Sequence, residues 1–389
     1  MCRRDSCTVS DRSVGTNGTE TAVASLLPMR YLFLTNTPAH VHLYKHAVAA
    51  LDARGHDVLV LGRDYSCTRA LLEYHDLPYE CYGRLDTTKW SLFRQLPRHY
   101  WAILRKTRRY DPDRIFGMGA YAAHAGALSR TPVTLILDSE PTSLDHAISR
   151  PFVETILTPH AFGKDLGPKH YRFRGFKECA YLHPDVFDPR EDIRERLGVA
   201  PDEQYALLRF NAFGSHHDVA RSGIAPAKRH ELVDHLAERA TVFVSDEGGE
   251  MDLDATPARA FDLHPGLLHD ALAAADLLVA DTQTMVTEAA LLGTPAIRSN
   301  SFVGDADMGN FLELERAGLI FNLDSFDAVI ERALTLLADD SVAETWQRRR
   351  ERYMDDTVNL TEVIVELATD PQGPGALDSL SRDRALMRA

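Results

Sequence analysis

The segment Asp281-Thr-Gln-Thr284, with Glu288 about one turn further on, has residue types suited to binding a phosphorylated ligand. It follows the apolar run Leu277-Leu-Val-Ala280 and opens a helix-forming stretch that ends at Gly293. A helix that begins directly after a buried strand presents unpaired backbone N–H groups and a positive dipole end, which suit a phosphate. Glu288 could then accept hydrogen bonds from a ribose. The alternative is an ordinary helix of an α/β domain with a solvated Glu.

Three further residues have side chains that could move a proton. His40 follows the apolar run Arg30-Tyr-Leu-Phe-Leu34, and because imidazole titrates near neutral pH we consider it a candidate general base. Asp138 and Glu140 follow the run Val133-Thr-Leu-Ile-Leu137. Either carboxylate could remove a proton from an acceptor hydroxyl or from a sugar carbon. All three could instead bond to local backbone as helix caps.

Other residues at the ends of predicted strands suit binding rather than proton transfer. Arg209 and Arg298 would each place a guanidinium where it offsets a diphosphate, although an ion pair with a nearby acid is the alternative. The full set of predicted binding residues is Asn36, Arg209, Asn211, Glu247, Asp281, Thr282, Thr284, Glu288 and Arg298.

These residues come together if apolar strands and helices alternate along the chain, as the pattern indicates. Two successive alternating series predict two doubly wound parallel sheets, whose strands end at a shared cleft. The predicted organisation is a disordered extension at 1–28, a first domain at 29–190, a second domain at 191–356, a helix crossing back at 357–370 and a disordered tail at 371–389.

Composition excludes several classes of function. The 389 residues carry a formal charge of −14, which argues against general nucleic-acid binding. No apolar run is long enough to span a bilayer, so we expect a cytoplasmic protein, with peripheral membrane contact left open. The 5 cysteines are scattered, which indicates free thiols and no metal site. A homodimer is possible.

Two other motifs suggest sites only weakly. Gly117-Met-Gly119 superficially fits a dinucleotide-binding turn, but it lies on a late strand, so we favour a tight turn with close helix packing. His216-His-Asp218 resembles a metal cluster only by proximity, since adjacent side chains seldom point at one ion. We therefore predict a solvated loop there.

Four motifs together carry a resemblance to a known family. They are Leu32-Phe-Leu-Thr-Asn-Thr-Pro-Ala-His-Val-His42, Gly175-Phe-Lys-Glu-Cys-Ala-Tyr-Leu-His-Pro184, Asp281-Thr-Gln-Thr-Met285 with Thr287-Glu-Ala-Ala290, and Arg298-Ser-Asn-Ser-Phe-Val-Gly304. The chain from Met29 to Ala368 resembles an uncharacterised, largely archaeal family. That family is itself similar to GT-B glycosyltransferases and to non-hydrolysing UDP-N-acetylglucosamine 2-epimerases.

The resemblance implies a GT-B fold: two Rossmann-like domains face a central cleft, the second domain holds the donor nucleotide, and a final helix crosses back. Glu288 matches the family position that contacts the ribose. The usual glycine-rich turn is replaced by Asp281-Thr282-Gln283, where an Asp would repel a diphosphate. The epimerase pattern His-Arg-x-x-Asn is replaced by Arg209-Phe-Asn-Ala-Phe-Gly-Ser-His-His-Asp218.

Given these departures, we rank the functions that the resemblance implies as follows. The first is a glycosyltransferase that uses a UDP-sugar-like donor and an unknown acceptor, with no cofactor required. The second is a nucleotide-sugar 2-epimerase. The third is a non-catalytic GT-B protein that binds a nucleotide or acts as a scaffold, which the altered phosphate turn would suit.

Overall fold

A computed structural model of the chain describes residues 27–84, 89–211, 223–301, 303–304 and 307–383, with only the backbone described for 89–93. Most of the predicted N-terminal extension, the His216-His-Asp218 motif and residues 384–389 lie outside this part of the chain. Two parallel sheets form, each covered by helices on both faces, as the two alternating series predict.

The first sheet has seven strands in the order β3-β2-β1-β4-β5-β6-β7. The interior strand β1 is wholly buried from Tyr31 to Leu34, which is why the sequence there is a continuous apolar run. The strands are β1 (Arg30–Thr35), β2 (Asp57–Asp64), β3 (Tyr79–Arg84), β4 (Arg114–Gly117), β5 (Val133–Ile136), β6 (Thr155–Pro159) and β7 (His170–Phe173).

The second sheet has six strands in the order β10-β9-β8-β11-β12-β13. The strands are β8 (Tyr205–Phe210), β9 (Thr241–Asp246), β10 (Arg259–Ala260), β11 (Leu277–Ala280), β12 (Ala296–Arg298) and β13 (Ile320–Asn322). In both sheets the order reverses direction beside the first strand, between β1 and β4 and between β8 and β11. Parallel sheets bind ligands at such switch points, outside the carboxyl ends of the strands.

Fourteen α-helices occur in the described residues. They are α1 (Pro38–Ala53), α2 (Thr68–Tyr74), α3 (Lys89–Tyr110), α4 (Ala120–Ser129), α5 (Ser143–Ser149), α6 (Cys179–Leu182), α7 (Ile193–Leu197), α8 (Pro226–Ala237), α9 (Leu268–Ala273), α10 (Thr284–Leu292), α11 (Gly309–Arg316), α12 (Phe326–Ala338), α13 (Val342–Met354) and α14 (Leu360–Thr369). None of them is both long and apolar enough to cross a bilayer.

The last helix returns to the first domain. The Thr361 hydroxyl donates to the carbonyl of Ala180 (2.7 Å), and the Tyr31 hydroxyl donates to the carbonyl of Ala368 (2.9 Å). The chain then pairs with the edge of the first sheet through Arg172 and Ser381. Ser381 and Arg382, in the predicted tail, therefore contact β7.

Candidate functional site

A cavity of about 550 Å³ lies between the two domains, beside both switch points. The first domain contributes the start of α1, the loop after β2 and part of α2, through Thr37, Pro38, Ala39, His42, Tyr65, Ser66, Cys67 and Leu71. The second domain contributes seven predicted binding residues, namely Arg209, Asn211, Glu247, Asp281, Thr282, Thr284 and Glu288. A cavity of this size can enclose a small organic ligand.

The turn between β11 and α10 is built around the side chain of Asp281. Its carboxylate accepts a hydrogen bond from the backbone N–H of Asn211 (2.7 Å), and its carbonyl accepts one from the amide of Asn300 (2.9 Å). Burial raises the pKa of Asp281 to about 6. An anion placed beside this carboxyl would favour its protonated form still more, since two like charges disfavour ionisation. The acidic turn can therefore accept a phosphate by taking up a proton.

Glu288 is buried in the floor of the cavity and is held by two side chains. One carboxylate oxygen accepts hydrogen bonds from the Tyr181 hydroxyl (2.8 Å) and from Nε2 of His269 (3.0 Å). Burial alone would raise the pKa of Glu288, but the adjacent His269 and the Tyr181 hydroxyl hold it below its usual value. Glu288 is therefore an ionised, fixed acceptor.

His42 lies beside this group, with its ring in edge contact with that of His269 (centroids 4.5 Å apart). Burial and the neighbouring His269 lower the pKa of His42 well below its ordinary value. The imidazole is consequently neutral at physiological pH and cannot itself contribute a positive charge to the cavity.

Arg209 is the cation of the cavity wall. It lies near the end of β8, where one guanidinium nitrogen donates to the Ser245 hydroxyl (2.6 Å) and another pairs with Glu247 (3.0 Å). Because β8 and β9 pair in register, Arg209 and Ser245 are direct neighbours. The guanidinium is held in place but keeps further N–H groups for a ligand.

The proposed proton-transfer residues His40 and Asp138 do not line the cavity. Asp138 forms an ion pair with Lys177, which also pairs with Glu178 (3.0 Å). Burial and the charge of Lys177 lower the pKa of His40 to about 3, and Nδ1 of His40 accepts the backbone N–H of Asn36. These residues form a closed group in the first domain.

Three other predicted residues, Asn36, Glu140 and Arg298, also have structural partners and lie away from the cavity. The Asn36 side chain accepts the Tyr82 hydroxyl (2.8 Å). One oxygen of Glu140 accepts the backbone N–H groups of Gly163 (3.0 Å) and of Gly309 (3.2 Å), which opens α11. Glu140 thus joins the two domains as a helix cap.

Arg298 is completely buried inside the second domain. Its guanidinium pairs with Asp307 and stacks on the ring of Phe311 (3.7 Å from the centroid). This arrangement matches the alternative of an ion pair with a nearby acid. The roles of all twelve predicted residues stay predictions, but only the seven listed above reach the cavity.

The two glycines of the dinucleotide-like motif lie in a tight turn. Gly119 has a φ of +79°, and a Cβ there would meet the carboxylate of Asp145, which accepts the backbone N–H of Ala120 (3.1 Å). A side-chain carboxylate thus occupies the start of α4, where a dinucleotide would place its phosphates.

Sequence reasoning did not identify the partners of Glu288. Tyr181, and His42 which lies against His269, occur within two of the motifs that carry the family resemblance, and this gave a usable signal. His269 lies inside a predicted helix and has no local signal, because it meets Glu288 only when α9 packs on α10. Within the described residues, no group of three or more His, Cys, Asp or Glu is arranged to hold a metal.

The chain matches one family model, described as "Protein of unknown function (DUF354)", over residues 30–370. No curated protein matches it. Among solved structures it is similar to CalG4, the calicheamicin glycosyltransferase, with a TM-score of 0.56 and 14% identity over 89% of this chain and 100% of that one.

Two further solved structures are similar over nearly their whole length. The UDP-GlcNAc 2-epimerase from Neisseria meningitidis bound to UDP-GlcNAc has a TM-score of 0.60 and 13% identity, over 87% of this chain and 99% of that one. Anabaena Alr3699/HepE in complex with UDP and glucose has a TM-score of 0.56 and 16% identity, over 87% and 97%. At such low identity the likeness shows the fold alone, and it confirms the predicted GT-B architecture.

Proposed function

We propose that this chain, which belongs to the DUF354 family, is a glycosyltransferase that uses a nucleotide-diphosphate sugar, UDP-sugar-like, as donor. One observation carries the proposal. The α10 N-terminus, the Arg209 guanidinium and the Glu288 carboxylate all line one cavity between two Rossmann-like domains. This combination of fixed dipole, cation and carboxylate is complementary to a nucleoside diphosphate.

In the proposed complex the nucleotide lies against the second domain. The free N–H groups at Thr284 and the guanidinium of Arg209 bind the diphosphate, and Glu288 accepts the ribose hydroxyls. Preorganised dipoles of this kind stabilise the charge that develops on the departing diphosphate. The sugar then extends towards the first-domain wall, where the acceptor enters.

For the base we favour Asp138 over His40. Burial and Lys177 lower the pKa of His40 to about 3, which makes it a weak base. The Asp138 side chain is 17% exposed, so it can still contact solvent beside Lys177. Closure of the two domains around a bound donor would be needed to bring an acceptor hydroxyl to it.

The sharpest test of the proposal is Glu288→Gln. This variant keeps the shape of the side chain and one oxygen acceptor for Tyr181 and His269 but removes the negative charge. Because a hydrogen bond to a charged group contributes about 1.5 to 3 kcal/mol, calorimetry should show UDP-sugar affinity reduced roughly 10- to 100-fold.

Glu140→Gln is the matched control, because the half-buried Glu140 carboxylate also accepts two hydrogen bonds but lies away from the cavity. It should leave the affinity unchanged. Melting temperatures of both variants separate lost binding from lost folding. Equal affinities in wild type and Glu288→Gln would refute the site.

A 2-epimerase is the second candidate, and one observation favours it. Glu178 lies beside Asp138 and Lys177, and burial raises its pKa to about 7, so a carboxyl that can both donate and accept a proton is present. An epimerase must exchange a proton at one sugar carbon. Solvent deuterium in nucleotide sugar recovered without any acceptor would support this function, and sugar transfer without exchange would exclude it.

A thermal-shift screen against nucleotides and nucleotide sugars distinguishes both enzymes from a non-catalytic protein that binds no nucleotide. A ligand that binds only the folded state raises stability by mass action, by about 2.7 kcal/mol at one hundred times its Kd. A panel that produces no shift with any nucleotide would contradict the donor site itself.

A further inference from the structure

Exposed apolar side chains are concentrated on one surface of the first domain. Seven large apolar side chains are exposed in the described part of the chain, and five of them belong to α3, α4, α5 and the turn that follows α5. They are Trp101, Leu128, Leu144, Ile148 and Phe152. We name this surface the α3–α5 face. Single exposed apolar residues are ordinary, but a group on one surface marks an interaction site.

The helix α3 contributes a basic stripe to this face. Its sequence from Lys89 to Tyr110 contains seven Lys or Arg and no Asp or Glu, although the whole chain has a charge of −14. From Arg94 onwards, where side chains are described, the exposed positions recur at helical spacing and are all basic apart from Trp101 and Pro97. They are Arg94, Pro97, Arg98, Trp101, Arg105, Arg108 and Arg109. Arg105 lies over the Trp101 ring, 5.1 Å from its centroid.

Contacts between the helices join the stripe and the apolar residues. Arg108 donates to the carbonyl of Leu128 (3.3 Å), which links the end of α3 to the end of α4. His124 of α4 stacks on Tyr100 of α3, is in edge contact with Phe152 and bonds to the carbonyl of Ile148 (3.0 Å). The helices therefore lie side by side in one layer over the first sheet.

The acidic groups near this surface are occupied. Glu80 pairs with Lys106 and Arg109 at one edge, and Asp145 accepts the backbone N–H of Ala120. Glu154, two residues after Phe152, is exposed and pairs with Arg114 (3.7 Å). Arginines with an exposed Trp and aliphatic side chains are the composition of a helix that lies in a membrane interface, where cations meet anionic headgroups and apolar groups enter the acyl boundary.

We propose that the α3–α5 face binds the surface of an anionic lipid bilayer. The rest of this acidic chain is repelled by such a surface, so the protein docks in one orientation, with Trp101, Leu128 and Phe152 in the interface. Basic charge in an otherwise acidic protein favours an anionic membrane over a second copy of the chain, since two copies of the stripe would repel each other. The inference does not depend on the identity of the donor.

Co-sedimentation of the full chain with vesicles of phosphatidylglycerol, and in parallel of phosphatidylcholine, tests the proposal. We expect binding to phosphatidylglycerol that weakens as salt rises, and little binding to phosphatidylcholine. Arg98→Glu combined with Arg105→Glu should weaken binding at least about 25-fold, because each basic residue near the surface contributes about fivefold. The matched control is Arg54→Glu combined with Arg239→Glu, which changes two exposed arginines outside the face. This control should bind phosphatidylglycerol vesicles more tightly than the first double variant.

Tryptophan emission supplies a second readout that does not depend on a charge change. The chain has three tryptophans, Trp90, Trp101 and Trp346, of which Trp346 is buried. A vesicle-dependent blue shift that persists in Trp90→Phe but is lost in Trp101→Phe assigns the contact to Trp101. Equal vesicle binding by both double variants, or no binding to phosphatidylglycerol by the wild type, would overturn the proposal. So would a concentration-dependent dimer in light scattering that Trp101→Ser dissolves, because the face would then pair with a second copy.

Discussion

Each domain has a group of charged residues near the carboxyl ends of its parallel strands. In the second domain these residues line the cavity, whereas in the first domain they surround Lys177. Arg209, Glu247, Asp281 and Glu288 all face the cavity. Among the described residues that line the first-domain wall there is no Asp, Glu, Lys or Arg.

The first-domain charges neutralise one another instead. Asp138 and Glu178 flank Lys177, whose pKa the two carboxylates raise despite its burial. Arg209 also pairs with Glu247 (3.0 Å), but on the open cavity wall it keeps further N–H groups for a ligand, whereas Lys177 is buried between two carboxylates. This difference predicts that mutations in the first-domain group change stability, whereas mutations in the cavity wall change binding.

Lys177→Met should have the largest effect. It leaves the Asp138 and Glu178 carboxylates buried without their cation, so we expect the free energy of unfolding to fall by about 3 to 5 kcal/mol. Urea denaturation at pH 7 measures it. Arg209→Met, on the open wall, should lose less than about 1 kcal/mol. Equal losses in the two variants would remove the distinction between the two regions.

Arg209→Met should instead weaken ligand binding. Because a charge-assisted contact to the diphosphate is lost, the Kd of a UDP-sugar should rise about tenfold or more. Calorimetry checks this, with Arg239→Met as an exposed second-domain control. Unchanged affinity would mean that Glu247 and Ser245 fully occupy Arg209, as Asp138 occupies Lys177.

Asp281→Asn should alter the pH dependence of binding. With a pKa of about 6, the wild-type carboxyl is neutral below pH 6 and ionised above it, so affinity for a nucleotide sugar should fall as the pH rises from 5 to 8. The variant, neutral throughout, should bind equally at both pH values and more tightly than wild type at pH 8. Parallel pH profiles would show that the phosphate does not lie beside residue 281.

Glu178→Gln should change the slope of stability against pH and leave ligand affinity unaltered. Burial raises the pKa of Glu178 to about 7, above its value in the unfolded chain. Its stabilising contribution is therefore fully present below about pH 4.3 and is lost as the pH rises through 7. The variant should reduce this slope in urea titrations, by roughly 3 to 4 kcal/mol in total between pH 4 and pH 7, since each pKa unit corresponds to about 1.4 kcal/mol. An unchanged slope would indicate that Lys177 keeps Glu178 ionised in the folded protein.

The sequence predicted the elements whose residues are uniformly apolar. The predicted strand Leu277–Ala280 occurs at the same residues, and the apolar runs Arg30–Leu34 and Val133–Leu137 correspond to β1 and β5. The edge strand β3 was not identified, because most of its residues are polar and only one of them is buried. The helix α3 was not identified either, although its apolar and basic residues recur at helical spacing, so the signal was present in the sequence.

The candidate site was predictable only in its second-domain half. Local order predicted that Asp281, Thr284 and Glu288 would follow a buried strand, and the sheet order places that strand beside a switch point. The pair between Glu288 and His269 depends on how α9 packs on α10, and Glu140 meets Gly309 from 169 residues away. Such contacts depend on tertiary packing, which no pattern of spacing along the chain contains.

The return of α14 to the first domain has a consequence for how the protein is made. Tyr31, in the first strand, bonds to Ala368 in the last helix, so the first domain is completed only by residues at the far end of the chain. At typical synthesis rates the ribosome needs roughly ten to forty seconds to extend the chain from β7 to α14. During that interval the apolar surface that α14 covers on α1 and α6 is exposed. A nascent first domain is therefore a natural client for a chaperone until the C-terminus emerges.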